Sequence, residues 1–274
     1  MKLPFAPHRW SLSLALLSLF VALTGIAEGQ DFATFARNNS IPVYELEIVS
    51  TIPHSTDSYT QGLVYENGIL YESTGLYGQS TLQKLDATTG EVLASRPLAP
   101  DLFAEGLTSC HDELFQITWQ ERTALVYSRE TLDLVRTLAY DGEGWGLTSN
   151  GDRLIMSDGS YLLYFRDPSD LSLLDTVAVT LAGRRPRGIN ELEFAHGHVY
   201  ANVLGSDEIL EIDPESGSVT GVVDAASLRD QIAATLLEKP LNGIAYDAAS
   251  GDFFLTGKLW PAIYRVRFVR SMGR

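Results

Sequence analysis

Cysteine is nearly absent from this chain. Cys110 is the single thiol among 274 residues, so an internal disulfide and a thiolate zinc site are both excluded. A lone cysteine in such a context is expected to be a small buried apolar residue. Histidine is scarce and dispersed. His54, His111, His196 and His198 all fall in predicted turns or connections, and no serine or cysteine has a histidine placed to make a nucleophilic triad. Positive charge is also short: 20 Lys and Arg stand against 35 Asp and Glu, a net charge of -15. No basic patch interrupts this surplus, which argues against a nucleic-acid partner. Long apolar runs are missing except at the start, where Trp10–Leu23 follows Lys2 and Arg9 and precedes the small residues Gly25-Ile26-Ala27. That order describes an export signal ending near residue 27. The rival reading, a membrane anchor, needs about 20 apolar residues. The expected product begins near Glu28, lies in the periplasm or is secreted, and has no membrane association after cleavage.

What the chain does have is a repeat. Gln61-Gly62-Leu63, Glu105-Gly106-Leu107, Trp145-Gly146-Leu147, Asn190-Glu191-Leu192 and Asn242-Gly243-Ile244 open five units, spaced 44, 40, 45 and 52 residues apart. Most units run strand, tight turn, strand, connection, strand, turn, strand. The turns are marked by Asn67-Gly68, Asn150-Gly151-Asp152, His196-Gly197 and Gly251-Asp252, the residue types hairpins require. Four strands every forty-odd residues predict an all-β, five-bladed β-propeller. The last unit is one strand short. Val43–His54 alternates as a strand and is expected to complete it, closing the ring without a covalent bond. The predicted organisation is a signal over 1–27, an arm over 28–42 and the propeller over 43–274. Leu228, Ile232 and Leu236 have helical spacing after Asp224, which predicts a short rim helix. A closed ring needs no partner, so a monomer is expected.

In such a ring the residue before each Gly-Leu faces the axis. This circle reads Gln61, Glu105, Trp145, Asn190, Asn242. A second circle, at the end of each second strand, reads Gly75, Trp119, Gly159, Leu204, Gly257, with Lys258 and Trp260 beside its last member. Tyr59 and Phe103 lie two residues before the first circle, on the same face of an extended chain. Singly, each has a plainer reading as a core tryptophan, a turn asparagine or a surface charge. Structural demands at equivalent places should select similar residues, however, and these differ while their Gly and Leu neighbours do not. A ligand pocket follows, holding one acid/base group in a box of amides and aromatics. It contains no cluster of histidines and carboxylates for a catalytic metal.

The motifs YTQGL, FAEGLT, ITWQ, GEGWGLT, INELEF, ANV, LNGIAYD and LTGKLWP, in this order from about Val43 to Phe268, resemble the plant and bacterial type of glutaminyl cyclase. The resemblance implies a five-bladed propeller that converts N-terminal glutamine of peptides or proteins to pyroglutamate and releases ammonia, with no metal needed for catalysis. It implies Glu105 as the catalytic acid/base. Gln61, Trp119, Trp145, Asn190, Lys258, Tyr59 and Phe103 match the family's pocket positions, and Lys258 or a neighbouring donor is expected to stabilise the oxyanion. One departure stands out: ANV is followed by Leu204 where the family usually has Trp. Trp260 is expected to line the box and offset that loss. A non-catalytic propeller binding a peptide or sugar in the same pocket is the alternative, since its lining would look alike. A structural calcium elsewhere is left open by the sequence.

Overall fold

The computed structural model of the chain describes residues 31–232, 235 and 238–271. The expected signal, the first residues of the arm and part of the expected rim helix lie outside these. Three antiparallel meanders of four strands follow one another. They are β2 (Thr60–Glu66) to β5 (Val92–Pro97) through β3 (Ile69–Thr74) and β4 (Thr81–Asp86), then β6 (Ala104–Cys110), β7 (Glu113–Thr118), β8 (Thr123–Ser128) and β9 (Leu134–Ala139), then β10 (Leu147–Ser149), β11 (Leu154–Met156), β12 (Leu162–Arg166) and β13 (Leu173–Ala178). A fourth comprises β14 (Ile189–Ala195), β15 (His198–Val203), β16 (Glu208–Ile212) and β17 (Val219–Asp224). In the last, β18 (Leu241–Asp247), β19 (Asp252–Gly257) and β20 (Ala262–Arg270) are joined by β1 (Val43–Pro53), which pairs antiparallel with β20 from Tyr44↔Arg270 to Pro53↔Ala262. The start of β1 also meets β17 in parallel at Val43↔Val222 and Tyr44↔Val223. That contact, which the sequence does not announce, joins the fourth and last meanders into one eight-stranded sheet.

The arrangement is all-β and propeller-like. Strands β2, β6, β10, β14 and β18 touch in cyclic order, with β18 returning to β2. The apolar core is accordingly divided into layers between successive sheets. Val64, Tyr71 and Leu82 pack on Leu107 and Leu114; Phe115 and Val126 on Leu147 and Met156; Leu163 and Phe165 on Leu192 and Val199; Tyr200 and Ile209 on Phe253 and Leu255; Phe254 and Ile263 on Leu63 and Leu70. Each sheet thus buries both faces, which a lone meander could not do. Cys110 is buried in the layer between the second and third sheets, as expected.

The first strands share a local irregularity that positions the site. Pairing slips between Thr60 and Gly62, Ala104 and Leu107, Ile189 and Leu192, and Leu241 and Ile244. Each slip is a bulge, which re-aims the side chain it carries. The residues it carries are Gln61, Glu105, Asn190 and Asn242, four members of the first circle. Neighbouring backbones come so close here that a Cβ on Gly62, Gly106 or Gly146 would strike the main chain of the next sheet; this is why glycine follows the variable residue.

Two elements depart from the sequence reading. The arm contains a helix, α1 (Phe32–Asn38), that was not expected. Asp31 caps it, and Glu208 accepts from Phe32 N and Ala33 N at 3.0 and 2.7 Å. Its Phe32, Ala33 and Ala36 complete the layer between the third and fourth sheets. The rim helix is shorter than its periodicity suggested: α2 covers Ala226–Arg229, with Leu228 and Ile232 buried against the last sheet. Asp224 accepts from Ala226 N at 3.1 Å, but Ala225 occupies the cap position. No helix among the described residues is long and apolar enough to cross a membrane.

Candidate active site

Glu105 is 7% exposed. The amide Nε2 of Gln61 donates to its Oε1 at 3.1 Å, and Asn242 Nδ2 donates to Gln61 Oε1 at 3.3 Å and to Thr60 O at 3.0 Å. Three bulges of three different sheets therefore feed one chain of amides that ends on a carboxylate. Asn242 settles the orientation of the Gln61 amide: its oxygen is engaged, so its nitrogen faces Glu105.

Lys258 follows β19 in a turn closed by Trp260 N to Gly257 O at 3.1 Å, with Leu259 held at φ 60. Its ammonium is buried and lies 4.8 Å from the centroid of the Tyr59 ring. It forms no ion pair within 4.0 Å of Glu105, yet the two groups sense each other. Burial pushes the Glu105 carboxyl well above the usual carboxylate range; the Lys258 charge opposes this, and Glu121 and Glu143 add to it. Burial likewise pulls Lys258 down to about 8, against the pull of Glu105. For Glu105 desolvation outweighs the opposing Lys258 charge, and the net direction is up.

The aromatic wall is held by two carboxylates that sequence reasoning missed. Glu143 Oε2 accepts from both Trp119 Nε1 at 3.1 Å and Trp145 Nε1 at 3.3 Å. Glu121 accepts from Tyr77 OH at 2.6 Å and Phe103 N at 3.4 Å. Phe103 meets Tyr77, Trp119 and Tyr59 edge-on, with centroids 5.3, 5.7 and 6.5 Å apart. Gly159, at φ 79, seats the Trp145 ring, and Gly75 seats Phe103; a Cβ at either would strike the ring.

Asn190 is buried, and its Oδ1 has no hydrogen-bond partner; neither has Asn242 Oδ1. An acceptor buried in this way costs about 1–3 kcal/mol unless a ligand or water satisfies it. Beside it, Glu191 occupies the place where other units have glycine. Its fully buried carboxylate accepts from Leu63 N at 3.3 Å and Ile244 N at 2.9 Å, bridging the first and last sheets across the axis. The channel thus carries a second carboxylate besides Glu105.

The family model for glutamine cyclotransferase matches residues 17–268. The chain belongs to the glutamine cyclotransferase family. A glutaminyl-peptide cyclotransferase of Arabidopsis thaliana is 38% identical over 240 residues, which cover 85% of this chain and 74% of the relative. A crystal structure of Myxococcus xanthus glutaminyl cyclase aligns with a TM-score of 0.80 at 39% identity, covering 84% of this chain and 99% of that one.

Among the residues expected to line the site of this cyclotransferase family member, Trp260 is displaced. It is fully buried, donates Nε1 to Lys239 O at 2.9 Å, and lies under the Arg229 guanidinium within the layer between the fourth and last sheets. The tight turn after Gly257 folds the indole back on that glycine, so it faces the core, and it does not substitute for an aromatic at Leu204. Leu204 itself is half-buried beyond β15, where its N–H donates to Gly188 O at 2.8 Å. Glu143 was legible only as part of GEGWGLT; two residues ahead of Trp145, it has the spacing of a same-face neighbour. Nothing local marks Glu121. Among the described residues, no group of three or more His, Cys, Asp or Glu is placed to hold a metal ion.

Proposed function

We propose that this family member is an exported glutaminyl-peptide cyclotransferase, acting on peptides or proteins with N-terminal glutamine by metal-independent general acid/base catalysis. The observation that carries the reading is the buried Glu105, with Gln61 on one oxygen and Lys258 nearby, inside a wall of Tyr59, Phe103, Trp119 and Trp145. We read the five meanders as the blades of a closed five-bladed propeller, β1 supplying the outer strand of the last. The domain spans 43–274 behind an arm and a cleaved signal, and acts as a monomer.

Residue chemistry suggests the following course. The aromatic wall holds the substrate's terminal residue with its α-amine near its own side-chain amide carbon, which makes the attack intramolecular. Ionised Glu105 takes a proton from the amine as nitrogen bonds to Cδ. The carbonyl π electrons move to oxygen, and the Lys258 ammonium stabilises that oxyanion. Glu105, now protonated, delivers the proton to the departing amide nitrogen as the C–N bond breaks. Ammonia leaves, the carbonyl re-forms, and the lactam ring is closed. No proton or electron is left over. The unpaired Oδ1 of Asn190 is suited to accept an N–H of the substrate. An uncharged amide suits such a desolvated site; the carboxylate of an N-terminal glutamate does not.

The test is ammonia release from a short glutaminyl peptide, with the corresponding glutamyl peptide as control. A peptide- or sugar-binding propeller without activity would release none.

A further inference from the structure

Outside the ring of site residues lies a buried ion pair that the mechanism above does not use. His54 follows the end of β1. Its Nε2 is 3.0 Å from Glu72 Oε1 on β3, and its Nδ1 is 2.9 Å from Trp260 O. The side chains of both partners are almost completely buried, at 3% and 0% exposure. Glu72 also accepts from Thr60 Oγ1 at 2.6 Å and Ser58 Oγ at 3.3 Å. The backbone repeats the same connection: His54 N donates to Pro261 O at 3.0 Å, and Leu259 N to Ser58 O at 2.8 Å.

These contacts converge on two short segments. Ser58–Thr60 flanks Tyr59 on both sides, and Gly257–Trp260 carries Lys258. Lys258 and Tyr59 face each other across the seam between the last sheet and the first, which the chain itself crosses at residues 54–59 on its way from β1 to β2. We infer that His54, paired with Glu72, is a positioning residue for the reaction: it locks the Lys258 turn against the Tyr59 segment and so sets where the ammonium stands relative to Glu105.

The chemistry of the pair suits this role. Both ring nitrogens of His54 face acceptors, which only the protonated imidazole can satisfy together. Burial pulls the His54 pKa down, but the Glu72 charge, the hydrogen bond to it and the Trp260 carbonyl outweigh burial, and the net direction is up. Glu72 is the charged group that acts on it. A plain packing residue would need neither the second acceptor nor the charge.

The inference rests on the cyclotransferase reading for its kinetic consequence and not for its structural one, so the test has two arms. In the first, His54→Asn, which keeps a donor near Trp260 O and loses Glu72, is assayed for ammonia release. The expected result is a fall in kcat of about 10- to 100-fold with little change in KM. In a Lys258→Ala background the same substitution should cost less than about threefold, because its effect runs through Lys258. Losses that multiply fully, or a folded His54→Asn with normal kcat, would overturn the inference. In the second arm, 13C NMR follows the titration of the Lys258 Cε, one of four lysines in the chain. His54→Asn should move its midpoint up toward that of an ordinary lysine as water reaches the loosened turn; an unmoved midpoint overturns the assignment even if the wild-type protein releases no ammonia. Should His54→Asn fail to fold, Glu72→Gln is read in the same two ways, and failure of both to fold would make the pair a folding determinant and refute the positioning role.

Discussion

Gln61 donates to Glu105 across 3.1 Å, although 44 residues separate them and each lies on the first strand of a different sheet. The bulge in each of the two strands makes the contact, by aiming these side chains at one another. A neutral donor on a buried carboxylate holds it in place without forcing it to stay ionised. That is what a group needs if it is to take a proton and then return it.

Replacing Glu105 by Gln should abolish the shuttle while keeping the shape. Turnover, followed as ammonia release, is expected to fall by roughly 100- to 10,000-fold. Stability should not fall with it. Because the folded pKa of Glu105 is raised, the folded protein binds the proton more tightly than the unfolded chain does. The native carboxyl therefore costs stability as pH rises through the window between the two values. Melting at pH 8 should show Glu105→Gln as stable as the parent or more so; near-normal turnover would remove Glu105 from catalysis.

The pH dependence of kcat/KM should be a bell. Its acid limb rises as Glu105, held above the ordinary carboxylate range, loses its proton and as the substrate amine becomes neutral. Its alkaline limb falls as Lys258, pulled down to about 8, loses its own. The two groups interact, so the limbs report the pair. Lys258→Met should flatten the alkaline limb and lower the plateau. An alkaline limb unchanged in that variant would mean that Lys258 does not support the oxyanion.

Asn242 decides which end of the Gln61 amide faces Glu105. In Asn242→Ala the amide is free to turn its oxygen toward the carboxylate, and kcat is expected to drop about tenfold with KM nearly constant. Gln61→Ala should give a similar loss, and the double variant little more than either single one. Additive losses would break the relay.

Glu143 is exposed but holds two indoles. Glu143→Ala should leave the melting temperature almost unchanged, raise KM about tenfold through lost ordering of Trp119 and Trp145, and shift tryptophan fluorescence to the red. An unaltered KM would show that the indoles hold their places without it.

Excess chelator should leave ammonia release unchanged. Loss of activity that returns with added metal would overturn the acid/base mechanism in favour of metal-assisted chemistry.

The sequence by itself determined the repeat, the strands, the closing role of Val43–His54 and the circle containing Glu105. These are written in alternation, turn residues and fixed spacing, all of which act over a few residues. It also carried the family, through motifs that surround the circle. Tertiary structure decided the rest. Trp119, Trp145 and Trp260 are chemically alike, but only the fold of the turn after Gly257 sends the last one into the core. Glu191, Glu121 and Glu72 read locally as ordinary strand or loop carboxylates; Glu191 meets backbone amides of the first and last sheets, Glu121 the Tyr77 hydroxyl after β3, and Glu72 gathers His54, Ser58 and Thr60 at the entry to its own sheet. A hydrogen bond between distant segments leaves no mark on the local pattern of either one. Which strand a residue joins is therefore set nearby, and what its side chain meets is set by the neighbouring sheet.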